Sequence, residues 1–179
     1  MSKATTKIKI LHIITNLPVG GAQDNMLMTV ERLNREKYTV GLLCSSDGEW
    51  LQRAKKIKGL ELYFVDSFVR EINPFKDILT IFKAYSIIKK HRFQIVHTHT
   101  SKAGFIGRIA AWLASVPVVV HTMHGFSFHD YVNPVLKYLF IKLEHFLAKI
   151  TDRVITVSDL NLEKAINSKL ASRDKFVTI

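Results

Sequence analysis

Short apolar runs alternate along the chain with segments of helical periodicity. Residues 7–15 (KIKILHIIT) are rich in β-branched side chains, which predicts a buried strand. Further strands are predicted at 38–44, 60–65, 94–98, 118–123 and 153–157, and another begins at 175–179. Helices are predicted at 22–37, 49–58, 74–91, 101–115 and 134–151, and one more after Ser158. This alternation predicts an α/β, Rossmann-like domain: a parallel sheet with helices on both faces.

Ligands of such sheets bind at the carboxyl ends of the strands, so the loops at that edge carry the candidate chemistry. The loop after the first strand holds Gly20 and Gly21 (NLPVGGAQ). Two glycines let the backbone approach a ligand, and the following helix start attracts an anion. Neither the G-x-G-x-x-G fingerprint nor a P-loop is present, so a tight turn without a ligand remains the alternative.

A histidine-rich segment, HTHTSK, joins the fourth strand to the next helix. Alternate strand residues face the same way, which places His97 and His99 on one face. We favour a polar ligand held by hydrogen bonds, with Lys102 supplying charge at the helix start. A pair with one buried and one exposed histidine is the alternative. A metal site is disfavoured, because a third ligand at metal spacing is missing from the sequence.

A second histidine-rich segment, HTMHGFSFH, ends the fifth strand. His124 lies at the predicted ligand edge, where an imidazole can both donate to and accept from hydroxyl groups. Gly125 allows the backbone to turn there. His121 is expected to point into the sheet as a structural residue, and His129 is a loop residue.

The composition of the chain excludes only some classes of binding partner. The net charge of +11 attracts polyanions such as nucleic acid, anionic lipid or phosphorylated ligands, but no nucleic-acid-binding motif is present. Cys44 is the single cysteine, so no internal disulfide forms, and we expect it to be a core residue. Neither a secretory signal nor a membrane-spanning run is evident, which predicts a cytoplasmic protein or one attached to the inner face of the membrane.

Two predicted helices are both amphipathic and basic. Residues 75–90 and 135–150 each combine an apolar stripe with several lysines. We favour packing of the apolar stripe on the sheet with a solvated lysine face, and contact with an anionic membrane is the alternative.

The order of these motifs resembles a known family. The NLPVGGAQ loop, then HTHTSKAGFIGRIAAWLASVPVVVHTMHGF, then RVITVSD is similar to the N-terminal half of family-four retaining glycosyltransferases of the GT-B type. The similarity runs over residues 7–179 and is most specific at 97–126. It implies two Rossmann-like domains facing across a cleft, with the acceptor held mainly by the N-terminal one. The donor, a UDP- or GDP-linked sugar, is held mainly by the C-terminal one, and no metal or other cofactor is required.

The resemblance also implies roles for individual residues. Gly20 and Gly21 match the loop that approaches the donor diphosphate, and His124 matches the catalytic histidine that contacts the transferred sugar. His99, Ser101 and Lys102 match the wall of the acceptor site, where a glycan or lipid-linked acceptor would bind.

The chain departs from the family pattern at its end. Residues 1–6 are predicted to form a flexible N-terminus and residues 7–179 the acceptor-side domain, and the chain stops inside a predicted strand. The donor-binding domain is absent, so we expect the isolated chain to be inactive. The alternative is a non-catalytic module that binds a phosphorylated ligand or a partner subunit.

Overall fold

The computed structural model describes residues 6–125 and 133–179, and within them seven parallel strands form one sheet. The strands lie in the order β3-β2-β1-β4-β5-β6-β7. They are β1 Ile8–Ile13, β2 Tyr38–Cys44, β3 Leu60–Phe64, β4 Ile95–His99, β5 Val118–Met123, β6 Arg153–Thr156 and β7 Phe176–Thr178. The helices are α1 Gly21–Arg32, α2 Leu51–Lys56, α3 Pro74–His91, α4 Ser101–Leu113, α5 Pro134–Lys149 and α6 Asp159–Asn167, with a 3-10 turn at Arg173–Lys175.

The predicted elements are all present, and the two largest differences concern helix ends. α1 stops at Arg32 rather than 37, because Leu33 adopts extended backbone angles and its N–H bonds to the Thr29 carbonyl. The Asn34 side chain then accepts from the Glu36 N–H, a turn that competes with further helix. α2 is shorter than predicted and ends before Gly59, whose φ is +71°.

The helices cover both faces of the sheet, as predicted. Right-handed crossovers from β1 to β2 and β3 place α1 and α2 on one face, where Met26, Val30 and Ala54 join the core. The crossover from β3 to β4 reverses direction, so α3 and α4 lie on the opposite face, against residues such as Ile13 and Val96. The strand order therefore switches between β1 and β4, and the crevice at their carboxyl ends is the expected ligand position.

α4 lies unusually close to the sheet. A Cβ added to Gly104 would be 2.5 Å from His121 Cε1, and one added to Gly107 would be 2.5 Å from Thr98 Cγ2. His121 is buried, and its Nδ1 lies 2.9 Å from Thr98 Oγ1. The predicted structural role of His121 is therefore confirmed. Burial also raises the pKa of the Cys44 thiol to about 12, which agrees with its predicted place in the core.

A buried ion pair joins α4 to α5 on the same face. The guanidinium of Arg108, which is 1% exposed, lies 3.0 Å and 2.9 Å from the two Glu144 carboxylate oxygens. Its Nε also donates to the Gly104 carbonyl at 2.8 Å. A single guanidinium nitrogen, Nη2, makes both contacts, and this charge-assisted pair ties α5 to α4.

The favoured interpretation of α3 and α5 is wrong for much of their length. Only Thr80, Ala84 and Ile88 of α3 and Leu147 and Ala148 of α5 are buried. The exposed apolar side chains are Phe75, Ile78, Leu79 and Phe82 on α3 and Val135, Leu136, Leu139 and Phe146 on α5. The helices contact neighbouring elements through narrow stripes and present wide apolar faces outward. Within residues 6–125 and 133–179, no helix is long and apolar enough to cross a bilayer.

Candidate active site

A cleft of about 520 Å³ opens at the switch point between β1 and β4. The loop after β1 forms one wall and the start of α4 forms the other. The lining residues are Ile14, Thr15, Asn16, Pro18, Val19, Gln23, Arg70, Thr100, Ser101 and Lys102. The cleft opens at the sheet edge where the sequence predicted a ligand, and two of the predicted site residues, Ser101 and Lys102, lie in its wall.

The N-termini of two helices flank this cleft. Neither α1, capped by Gly20, nor α4, capped by Thr100, has a side-chain hydrogen bond to its first N–H groups. Such N–H groups and the helix dipole attract anions. An added Cβ on Gly21 would meet no atom within 4 Å, so open space adjoins the backbone there. The diphosphate-binding role of Gly20 and Gly21 stays a prediction.

Thr100 adopts an unusual backbone conformation at the start of α4. Its φ of 64° and ψ of 160° lie in a region that a β-branched residue rarely occupies, at a cost of about 1–3 kcal/mol. Its Oγ1 is buried and lacks a hydrogen-bond partner in the part of the chain that the structure describes. Backbone strain and an unsatisfied hydroxyl at one position make Thr100 a candidate site residue. Sequence reasoning missed it because no residue pattern encodes a positive φ at threonine.

The positive charge of the cleft is distributed between two residues. Lys102 Nζ lies 2.7 Å from Asp77 Oδ1 of α3 and also donates to the Glu71 carbonyl, so part of its charge is neutralised. Arg70 is exposed and lines the same cleft. The predicted charge at Lys102 is present, but Arg70, which the sequence analysis did not single out, supplies the more accessible cation.

The histidines meet on one face of the sheet beside this cleft. His12 is paired in register with His97, and the His97 and His99 ring centroids are 4.2 Å apart, which confirms their predicted common face. His12 Nδ1 lies 3.1 Å from His99 Nε2, and His99 Nδ1 lies 3.3 Å from His124 Nε2. We name His12, His99 and His124 the histidine chain. His97 Nε2 bonds instead to Thr122 Oγ1 at 2.7 Å.

The histidine chain couples the tautomers of its three rings. A neutral imidazole donates from one nitrogen and accepts at the other. If His12 donates from Nδ1, then His99 and His124 must also carry their protons on Nδ1, and the reverse direction places all three protons on Nε2. In either state Nε2 of His124 faces His99, which leaves Nδ1 as the nitrogen available to a ligand.

Burial keeps the rings neutral near pH 7. Desolvation is the main cause that lowers the pKa of His12 and His99 well below the usual value, and nearby imidazoles lower it further. Desolvation lowers the pKa of His97, and the repulsion that His97 and His124 would feel if both were protonated lowers it further, to about 4. Burial also lowers the pKa of half-buried His124. A neutral His124 is suited to hydrogen bonds with sugar hydroxyls rather than to charge neutralisation.

Burial also limits the access of a ligand to His99, one of the predicted acceptor residues. His99 is 1% exposed, and both ring nitrogens are engaged by His12 and His124, so its acceptor-binding role stays a prediction. His12 was missed, although a lone histidine inside an apolar strand leading to the ligand edge was a signal for it. His129 lies outside the described residues.

Comparisons with known proteins identify the family of this chain. Residues 19–179 match the family model described as Glycosyltransferase Family 4. The chain is 36% identical over 166 residues to an Escherichia coli protein named UDP-Gal:alpha-D-GlcNAc-diphosphoundecaprenol alpha-1,3-galactosyltransferase, covering 93% of this chain and 42% of that protein. It is 30% identical over 173 residues to the Staphylococcus aureus capsular polysaccharide biosynthesis glycosyltransferase CapM, covering 96% and 43%. The chain thus spans about two fifths of the length of these relatives.

Solved structures share the fold at low identity. Anabaena HepE, in complex with UDP and glucose, superposes with a TM-score of 0.70 at 17% identity, covering 96% of this chain and 44% of that one. Acinetobacter baumannii MurG gives a TM-score of 0.65 at 17% identity with the same coverage. The UDP-GlcNAc 2-epimerase from Neisseria meningitidis gives 0.68 at 11% identity, covering 96% and 45%. The domain is therefore a Rossmann-like half of a GT-B fold, and fold alone does not separate transferases from epimerases.

Proposed function

The chain belongs to glycosyltransferase family 4, and on that premise we propose that it is the acceptor-side half of a retaining enzyme that moves a sugar from a nucleotide-sugar donor to a lipid-linked glycan. Its relatives are named for capsule and O-antigen synthesis, which supports a role in cell-envelope polysaccharide synthesis. The observation that carries the proposal is a wall, formed by Arg70, Ser101 and Lys102, that a polar cleft and an apolar groove share.

The polar side of this wall suits a diphosphate. Two helix N-termini without side-chain caps, the Arg70 guanidinium and the unsatisfied Thr100 hydroxyl converge on the cleft. Each group favours negative charge or supplies a hydrogen-bond donor. In the proposed enzyme, Gly20 and Gly21 adjoin the donor diphosphate, and Ser101 and Lys102 contact the acceptor. The helix N-termini stabilise the leaving donor diphosphate without a metal, and Arg70 binds the acceptor beside Lys102.

The apolar side suits a hydrocarbon chain. A groove of about 380 Å³ lies between α3, α4 and α5, and its apolar lining residues are Ile72, Phe105, Phe140 and Leu143. Arg70 and Lys102 stand at its junction with the polar cleft. A molecule with a diphosphate between a sugar and an isoprenoid chain matches this order of polar and apolar contacts. The name of the 36% identical relative contains such an acceptor, which supports the assignment.

The test is a transfer assay on the protein that joins this domain to a donor-binding half, with a short-chain prenyl-diphosphate sugar as acceptor. His124→Ala is expected to lower kcat about 100-fold with little change in acceptor KM, because the His124 contact acts on the transferred sugar. Arg70→Ala is expected to raise acceptor KM about tenfold, since it removes one charge-assisted hydrogen bond. Lys55→Ala, which removes an exposed cation on α2 away from the wall, is the control.

Three results would contradict the proposal. Equal effects of Arg70→Ala and Lys55→Ala would show that the wall is not part of the acceptor site. An inverted anomeric configuration in the product, read by NMR couplings, would exclude the retaining mechanism. Sugar transfer by the 179-residue chain alone would overturn the predicted need for a donor-binding half.

We also propose that the exposed apolar faces of α3 and α5 rest on an anionic membrane. Phe75, Phe82, Val135 and Leu139 are 88%, 61%, 68% and 58% exposed, and both helices flank the apolar groove. Lysines on the same helices, such as Lys76 and Lys83, supply attraction to anionic headgroups. This surface would place the groove where a lipid-linked acceptor is embedded, and it agrees with the predicted peripheral location at the inner face of a membrane.

Vesicle co-sedimentation tests this surface. Binding of the chain to anionic vesicles at low salt is expected to exceed binding to neutral vesicles and to fall as salt rises. Phe75→Ser is expected to weaken it roughly tenfold, since about half of the burial energy of one aromatic side chain is lost. Leu160→Ser, which removes a 74% exposed apolar residue on α6, is the matched control. Equal binding to both vesicle types, or equal loss in both variants, would contradict membrane contact.

A further inference from the structure

The histidine cluster holds more imidazoles than contact with a transferred sugar requires. His12, His97 and His99 each offer a ring nitrogen, and the three nitrogens lie within 4.8 Å of one another. They come from two adjacent strands, so the sheet backbone fixes their separation. Only His124 of the cluster follows the strands at the ligand edge.

We propose that His12, His97 and His99 form a binding site for one divalent transition-metal ion, of the type that zinc and cobalt represent. The site goes beyond the proposed function and does not depend on it. It lies within the strands, beneath His124 rather than at the diphosphate cleft, so the ion is structural and takes no part in the transfer step.

Ring geometry supports three nitrogen ligands. Two nitrogens bound to one tetrahedral ion at ~2.1 Å lie about 3.4 Å apart. His12 Nδ1 and His99 Nε2 are 3.1 Å apart, so a slight opening admits an ion in place of their shared proton. His97 Nε2 is engaged by Thr122, which leaves its Nδ1 as the third ligand atom. The three ligand atoms all lie within 4.8 Å of one another, so a shift of at most about 1.4 Å brings any pair to the tetrahedral spacing while His97 stays bonded to Thr122.

The surroundings match those of histidine ligands in metal sites. Such ligands usually bond through their second nitrogen to a partner that fixes the ring. Here His99 Nδ1 meets His124 Nε2, and His97 Nε2 meets Thr122 Oγ1, which is itself on a buried residue. The lowered pKa values leave the rings neutral, so an ion needs only a change of tautomer in one ring and displaces no bound proton from an imidazolium.

The imidazole nitrogens determine which metal ions the site prefers. Three imidazoles favour zinc, cobalt, nickel or copper over magnesium and calcium, which prefer oxygen. The hydrogen-bonded histidine chain is the competing state of the same residues, and the ion replaces its first link.

The test is a metal titration of the whole 179-residue chain, prepared without a polyhistidine tag and treated with a chelator. One equivalent of Co²⁺ is expected to give visible bands typical of a four-coordinate ion, and Zn²⁺ should displace it and raise Tm. His97→Gln and His99→Gln are expected to abolish stoichiometric binding. Thr122→Val is expected to weaken binding about tenfold by releasing His97.

Two controls keep the outcome decisive. His145→Gln removes an exposed histidine on α5 and should bind Co²⁺ like the unmodified chain. Far-UV circular dichroism identifies variants that have lost the fold, and half-buried His97 is the substitution that perturbs packing least. The proposal is overturned if the unmodified chain binds less than one equivalent, or if folded His97→Gln binds as tightly as the control. Either result would mean that these rings only form hydrogen bonds, His12 and His99 in the histidine chain and His97 with Thr122, and neither would affect the transfer assay.

Discussion

Lowering the pH from 6.5 toward 5 is expected to unfold the domain steeply in metal-free buffer. His12, His99 and His121 are 1%, 1% and 2% exposed, and burial lowers the pKa of each well below the usual value. Burial lowers the pKa of His97 to about 4. In the unfolded chain the same rings bind protons near pH 6.5. The unfolded state therefore takes up protons that the folded state rejects.

The sign and size follow from proton linkage. A group whose folded pKa is depressed leaves stability unaffected above the unfolded pKa and removes stability as pH falls toward the folded pKa. Each proton changes the free energy of unfolding by about 1.4 kcal/mol per pH unit, so four such rings give a limiting slope of about 5 kcal/mol per pH unit. Typical domains have a total stability of only ~5–15 kcal/mol, so the loss of about 6–7 kcal/mol between pH 6.5 and 5 removes much or all of it.

Urea titrations at half-unit pH steps measure this slope. His97→Gln removes one titrating ring and should reduce the slope by about one quarter, to about 4 kcal/mol per pH unit. His145→Gln removes a histidine from the exposed surface of α5 and should retain the steepness of the unmodified chain. A flat profile between pH 6.5 and 5, or one that is unchanged in His97→Gln, would show that the rings are not neutral and buried as described.

Gly48→Ala is expected to destabilise the domain by about 4 kcal/mol, one of the largest effects for a single methyl group. Gly48 has a φ of +119°, and an added Cβ would lie 2.2 Å from the backbone carbon of Leu17. Backbone atoms at that position cannot move independently, since the Leu17 N–H donates to the Asp47 carbonyl and the Leu17 carbonyl accepts from the Trp50 N–H. The substitution therefore displaces the loop after β1, which forms a wall of the cleft.

Chemical denaturation of both glycine variants separates the steric effect from backbone strain. Gly59→Ala is the matched control, because its φ is +71° but the nearest atom to an added Cβ is Arg35 Nε at 3.6 Å. We expect it to cost only about 1 kcal/mol, the usual penalty for alanine at positive φ. Equal losses in the two variants would mean that positive φ alone, and not the contact with Leu17, makes Gly48 necessary. Binding of a diphosphate ligand in the cleft should weaken in Gly48→Ala and stay unchanged in Gly59→Ala.

Most strands and helices could be predicted from the sequence, because the patterns that determine them lie between neighbouring residues. Strand runs such as 118–123 are continuous in apolar and β-branched residues, and Asn73 and Asn133 cap their helices through side chains that accept from backbone N–H groups. Pro74 and Pro134 then begin those helices at the position where proline is favoured. The end of α1 was predicted less well, because a turn made by Asn34 competes with helix over a few residues.

The exposure of side chains on α3 and α5 could not be predicted from the sequence. An apolar stripe has the same appearance in sequence whether it meets a sheet, a membrane or water. Which residues are covered depends on the angle at which each helix crosses its neighbours, and this angle leaves Phe75 and Leu139 exposed while Ile88 is buried. The position of α5 depends on the Arg108–Glu144 pair, whose members are 36 residues apart.

The sequence by itself determined the order of strands and helices along the chain, the parallel sheet and the edge at which the cleft opens, because periodicity and capping act between near neighbours. It also identified His97, His99 and His124 as candidates, since they lie at that edge. Only the tertiary structure decided that His12, 87 residues from His99, completes their cluster, that Lys102 is paired with Asp77, and that Thr100 is strained. Those facts depend on distances between strands and helices that meet only after folding, and no local pattern encodes them.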